Sequence, residues 1–133
     1  MLKRKIATAL IMFIALNIDA VEAKKSHSQW SATYYGNKYR TTRRTANGEV
    51  FNMHAMTCAA PRKYKFGTKL RVTNLTNHKY VIVRVNDRGG FGCKVIDLTY
   101  DAFGKIAKHK LGRIKVKIEV VHNDSARHKH SKK

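Results

Sequence analysis
The chain has 133 residues, 28 Lys and Arg against eight Asp and Glu, a formal charge of +20 and a pI near 10.4. That length allows one compact domain, and a 43% hydrophobic content with regularly placed Val and Ile excludes a disordered polycation. Collagen, coiled-coil and multi-helix membrane architectures are excluded too, because the single long apolar run lies at the N-terminus.

Lys3, Arg4 and Lys5 precede the apolar run Ile6–Ile18. Its 13 residues fall short of the roughly 20 needed to cross a bilayer but suit the hydrophobic region of a signal peptide. Val21 and Ala23 provide the small residues for cleavage before Lys24. Residues 1–23 are therefore expected to direct export to the periplasm or the medium, with no stable membrane anchor. They contain three basic and two acidic groups, so 25 basic and six acidic residues remain in 110, a charge of +19. Such a surface attracts any polyanion through a field that salt screens. Export makes cell-envelope polymers the expected partners and nucleic acid an unexpected one.

Residues 24–28 form a polar tail, and Trp30–Tyr35 is the first strand candidate. Strict alternation follows in three places. Leu70 and Val72 alternate with Lys69, Arg71 and Thr73; Val81, Val83 and Val85 alternate with Tyr80, Ile82 and Arg84; Ile114, Val116, Ile118 and Val120 alternate with Lys115, Lys117 and Glu119. A period of two with β-branched residues on one face specifies half-buried strands whose basic residues face outward. Thr76–Lys79 is the expected hairpin turn between the first two. Val95–Leu98 reads as a short buried strand. A helix is expected next, capped by Thr99, carrying Asp101 in its first turn, striped by Phe103, Ile106, Ala107 and Leu111, and ended by Gly112. Residues 122–133 form a second polar, basic tail. Several short strands and one small helix specify a mainly β barrel over residues 29–121, expected to act as a monomer.

Cys58 and Cys93 share the exported chain. An oxidising compartment favours a disulfide, which would close a 35-residue interval and stabilise the fold by about 3–4 kcal/mol. Two free thiols or a metal site are the alternatives; zinc is disfavoured because there is no C-x-x-C pair and the seven histidines are scattered. No metal or cofactor is expected.

In so acid-poor a chain the carboxylates stand out. Asp101 is explained by the helix N-terminus and Glu119 by an outward strand position beside Lys117. Glu49, Asp87 and Asp97 remain. Asp87 opens a Gly-rich loop, Asn86–Gly92, able to present both a carboxylate and amides. Asp97 points away from the face of Ile96 and Leu98. Trp30, Tyr34, Tyr35, Tyr39 and Phe51 lie near these loops and either stack on sugar rings or fill the core.

Trp30–Gly36, Arg44–Met53, Phe66–Leu75, Val83–Gly89 and Val95–Thr99, in that order, resemble the rare lipoprotein A (RlpA-like) family. The resemblance covers about residues 29–121 and implies a six-stranded double-psi β-barrel with one short helix, shared with expansins and certain endoglucanases. It implies a bacterial cell-envelope lytic transglycosylase that prefers peptidoglycan strands stripped of stem peptides. Carried over residue by residue, the family's Glu falls on Glu49, its Asp-Arg-Gly aspartate on Asp87 with Arg88 following, and the barrel aspartate on Asp97. With these go Trp30, Tyr34, Tyr35 and Arg88 as substrate-binding candidates. The chain departs from the family at Ala60, where a His would fall, and at Gly90, where a Pro would fall.

The implied reaction cleaves the N-acetylmuramyl–N-acetylglucosaminyl bond without water and closes a 1,6-anhydro ring. One carboxyl group protonates the leaving oxygen and then receives the C6 hydroxyl proton, which calls for a pKa raised towards neutrality. Burial raises an aspartate's pKa and neighbouring cations lower it. On that ground Asp97 suits the proton donor and Asp87 the ionised partner, while the resemblance gives Asp87 an equal claim. Ala60 supports a second expectation, a non-catalytic, expansin-like wall-binding or wall-loosening module.

Overall fold
The computed structural model describes residues 29–36, 43–89 and 92–122. The expected signal segment, the tail over 24–28, all but His122 of the C-terminal tail, Tyr39, Gly90 and Phe91 lie outside the described residues. Six strands form in the order β1 (Trp30–Tyr35), β2 (Thr57–Ala59), β3 (Lys69–Asn74), β4 (Tyr80–Asp87), β5 (Val95–Thr99) and β6 (Ile114–Val120). One short helix, α1 (Tyr100–Gly104), lies between β5 and β6. The strands close a barrel in the spatial order β1-β5-β2-β4-β3-β6. Two neighbouring pairs, β1 with β5 and β2 with β4, run parallel, and the others are antiparallel. The mainly β barrel with one short helix expected from the sequence is the fold observed.

Alternation does what its period requires. Leu70, Val72, Val81, Val83, Val85 and Val116 point into the core, while Lys69, Arg71, Ile82, Lys115 and Lys117 face out. The outward Arg71 guanidinium lies 3.8 Å from the Tyr80 ring centroid across the β3–β4 pair. Glu119 meets Lys117 at 2.8 Å on the same outer face. His78 takes a positive φ of 61° in the turn joining β3 to β4. Ala102, Phe103 and Ile106 fill the barrel from the excursion between β5 and β6.

Three expectations need correction. The helix does not run from Thr99 to Gly112: α1 stops at Gly104, and a separate 3₁₀ turn covers His109–Leu111. The His109 ring stacks on Tyr100 at 3.7 Å, and a Cβ at Gly104 would meet it at 2.8 Å, so the chain folds back where a longer helix would continue. Thr99 makes no side-chain cap; its hydroxyl donates instead to the Ala55 carbonyl at 2.6 Å. Third, Cys58 and Cys93 are free thiols, one buried and one exposed. Cys58 is opposite Leu98 in the β2–β5 register, and Cys93 lies five residues earlier in the chain. Leu98 back to Val95 is extended, about 10 Å, and Cys93 lies beyond it in the turn before β5, exposed where Cys58 is buried; a disulfide spans at most about 7 Å between Cα atoms. Burial pushes the Cys58 thiol up to about 12, so it behaves as a core residue.

Candidate active site
Strand register builds the site. Thr33 on β1 is paired with Asp97 on β5, Asp97 with Ala59 on β2, and Ala59 with Asp87 on β4. These four residues therefore form one row across four adjacent strands of the barrel wall. Two strand spacings, about 10 Å between Cα atoms, separate the aspartates, with the small Ala59 side chain between them. A register shift between Cys58 and Ala59 brings Ala59 opposite Asp87 rather than Asn86. A cleft of about 440 Å³ opens over this row, and Tyr34, Tyr35, Arg43, Arg88, Gly89 and Arg113 complete its lining.

The two carboxylates have different surroundings. Asp87 is 2% exposed and is an acceptor on every side. Its Oδ1 accepts the amides of Ala46 and Arg88, each at 2.9 Å, and its Oδ2 faces Arg43 Nη2 at 3.4 Å. Asp97 is 8% exposed and has one side-chain donor among the described residues, the Thr33 hydroxyl, on Oδ1 at 2.8 Å. Burial raises the pKa of Asp97 above the ordinary aspartate value; the Thr33 bond opposes that shift, and the Asp87 charge adds to it.

Glu49 is not brought into this cleft. It lies by the outward face of β4, where Arg84 holds its two oxygens at 2.6 and 2.9 Å and Asn86 Nδ2 donates at 3.0 Å. Asn47 Nδ2 adds a fourth donor at 2.8 Å. These donors, Arg84 first, lower its pKa to about 2. The clamp fixes the turn from Thr45 to Glu49 against β4, and that turn supplies the Ala46 amide to Asp87. Glu49 thus reaches the row through a loop.

The aromatic candidates separate in the same way. Trp30 lies in the barrel core, 7% exposed, with its ring 5.9 Å from that of Tyr64, and is not in the cleft lining. Phe51 is buried with its ring 5.0 Å from that of Tyr35. Tyr34 borders the cleft within a cluster of Tyr100, Phe103 and His109, and its hydroxyl donates to the His109 carbonyl at 3.1 Å. Tyr35 also borders the cleft, and its buried hydroxyl, which faces Asp87, meets no hydrogen-bond partner in bonding geometry among the described residues. Burial, then the negative charge of Asp87, pushes that phenol above its usual range. Arg88 borders the cleft with Nη1 engaged by the carbonyls of Ala60 at 3.2 Å and Tyr64 at 3.0 Å, and its guanidinium lies over Phe66.

Thr33, Arg43 and Arg113 are site residues that sequence patterning does not single out. Thr33 enters through its pairing partner, and the arginines are two among 28 basic residues. Ala60, at the position where the family His would fall, is 1% exposed and belongs to the core. His54 bonds Asp101 at 2.9 Å and lies outside the cleft lining.

A closed barrel with two parallel strand pairs and two aspartates in one arginine-lined cleft defines a double-psi β-barrel domain. The chain belongs to the lytic transglycolase family, whose model matches residues 27–118, and is RlpA-like within it. It is 45% identical over 104 residues to a probable endolytic peptidoglycan transglycosylase RlpA of Synechocystis sp., covering 77% of this chain and 32% of that protein. Against the endolytic peptidoglycan transglycosylase RlpA of Pseudomonas aeruginosa the identity is 44% over 90 residues, covering 67% of this chain and 26% of that one. The chain thus spans about a quarter to a third of the length of these relatives. A mutant expansin of Clavibacter michiganensis, solved in complex with cellohexaose, shares the fold with a TM-score of 0.58 at 22% identity, covering 71% of this chain and 50% of that one.

Proposed function
We propose that this protein is an exported lytic transglycosylase that cleaves the N-acetylmuramyl–N-acetylglucosaminyl bond of peptidoglycan and leaves a 1,6-anhydro-muramyl end. The observation that carries the reading is the Thr33–Asp97–Ala59–Asp87 row, which sets two unlike carboxyl groups into one cleft. Family membership and the names of the relatives support the same chemistry.

The roles follow from the surroundings. Asp97, whose proton affinity burial raises, donates its proton to the glycosidic oxygen as the C1–O bond breaks. The departing N-acetylglucosaminyl unit leaves with a 4-hydroxyl. Positive charge develops on the muramyl C1 and ring oxygen, and Asp87, held by two amides and Arg43, faces it as a carboxylate. The muramyl C6 oxygen then bonds to C1 and returns its proton to Asp97. No water enters, and the enzyme ends as it began. Glu49 is a positioning residue in this scheme.

Digestion of purified peptide-free glycan strands, with products read by mass, tests the reading. The wild type is expected to release 1,6-anhydro-muramyl ends, and Asp97→Asn to lower their yield about 10²–10⁴-fold, the usual contribution of a positioned acid. The buried Ala60 favours a second reading, a non-catalytic wall-binding module. Sacculus binding that persists with no anhydro product from the wild type would select it and overturn the first.

A further inference from the structure
The cleft holds more positive than negative charge, and its cations are not equivalent. Asp87 and Asp97 face Arg43, Arg88 and Arg113. Arg43 pairs with Asp87, and Arg88 is bound to two backbone carbonyls. The guanidinium of Arg113 has no hydrogen-bond or ion-pair partner among the described residues.

Its place follows from the end of β6. Ala32 on β1 is opposite Ile114, the first residue of β6, and Arg113, the residue before it, lines the cleft together with Thr33. Arg113 therefore adjoins the catalytic row on the side of Asp97 away from Asp87. Gly112, with φ of 65°, turns the chain into this position. An exposed cation in the same cleft as the acid, with five donors and no carboxylate of its own, is arranged to receive one from a ligand.

We propose that Arg113 is a specificity-determining residue that binds a carboxylate carried by the glycan. The inference rests on the transglycosylase reading for its substrate. A muramyl residue bears a lactyl ether whose carboxyl group is an uncharged amide when a stem peptide is attached and a free carboxylate when the peptide is gone. A guanidinium beside the scissile bond distinguishes these two states by charge and by its planar fork. Selection of peptide-free strands is then an attraction to an exposed anion as well as an escape from steric bulk.

The test uses soluble peptide-free strands in two forms, with lactyl carboxylates free or converted to methylamides. Binding and product release are measured at fixed ionic strength for the wild type, Arg113→Gln, Arg113→Lys and Lys69→Gln; Lys69 is an outward residue of β3 away from the cleft. The wild type is expected to favour the free carboxylate by about tenfold or more, the scale of a charge-assisted hydrogen bond. Arg113→Gln should treat both forms alike, Arg113→Lys should keep part of the preference, and Lys69→Gln all of it. A preference that survives in Arg113→Gln, or that Lys69→Gln erodes equally, overturns the inference, the second outcome assigning it to bulk charge. Binding that discriminates through Arg113 without any anhydro product would leave the inference standing and reject the transglycosylase reading.

Discussion
The wall formed by β3, β4 and β6 and the wall formed by β2 and β5 bury their strands in different ways. Along β3 and the first half of β4 every second residue is buried and its neighbours face solvent. Along β2 all three residues are buried, and along β5 the four from Ile96 to Thr99 are. The first wall has one dry face and one wet face, as antiparallel sheets commonly do. The second has the core on one side and, on the other, the cleft with the loops around it. Ala59 and Asp97 occupy that second side. A buried carboxylate within a strand covered on both faces is costly to ionise, and the same cost prepares it for proton transfer. The barrel's regular wall supplies stability, and its irregular wall supplies the acid.

The largest effect should separate the walls by stability. Leu70→Ala, at a fully buried site, is expected to cost about 2–5 kcal/mol, while Lys69→Ala next to it stays within about 0.5 kcal/mol, read from urea midpoints. On β5 the alternate position is buried as well: Ile96→Ala and Leu98→Ala should each cost on the scale of Leu70→Ala, and Thr99→Ala, at a buried alternate position whose hydroxyl bonds the Ala55 carbonyl, should cost about 1–3 kcal/mol where Lys69→Ala costs little. Equal tolerance at every second residue of β5 would break the contrast.

The same contrast explains how far the sequence could be read. The alternating valines and isoleucines of β3, β4 and β6 specify strands because one face meets water and the other does not. β2 is invisible to that reading: Thr57, Cys58 and Ala59 are too few to show a period and have no exposed neighbour to contrast with. Asp87 and Asp97 stand out because acids are scarce, and their meeting follows from β5 and β4 flanking β2, a long-range pairing that no local pattern encodes. Glu49 stands out for the same reason, yet its donors place it outside the cleft. The helix over 99–112 reads as one amphipathic stripe, whereas the ring of His109 against Tyr100 at Gly104 divides it. Trp30 carries no mark distinguishing a core ring from a sugar platform.

A smaller effect should come from the clamp. Glu49→Gln keeps the shape of the side chain but removes the charge that Arg84 holds, so the turn bearing Ala46 loosens over Asp87. Product release is expected to fall about tenfold to a hundredfold, the range for misplacement of a reacting group by a second residue. The Ala46 amide should exchange faster with solvent while the global unfolding midpoint moves little. In the wild type the clamp has the sign of a lowered acid. Its contribution is present above the ordinary Glu value of 4.5 and is lost as pH falls towards about 2. Faster Ala46 exchange should therefore appear in the wild type only under strongly acidic conditions. Activity lost in Glu49→Gln without a change at Ala46 would give Glu49 a direct role instead.

The smallest effect has the opposite sign to most substitutions. Because the folded chain raises the pKa of Asp97, its contribution to stability is complete below the ordinary aspartate value of 3.8 and is lost as pH rises through the raised one. As pH rises through that raised value the fold therefore comes to bear the cost of ionising a carboxylate whose one side-chain donor among the described residues is Thr33. Asp97→Asn removes the charge and keeps an oxygen that can accept from Thr33, so the variant should melt above the wild type at pH 7 while releasing far less product. The gap in melting temperature should shrink as pH falls below about 4, where the wild type is protonated as well. An Asn variant that melts below the wild type at pH 7 would mean that the site stabilises the carboxylate, and Asp97 would then be the ionised partner rather than the acid.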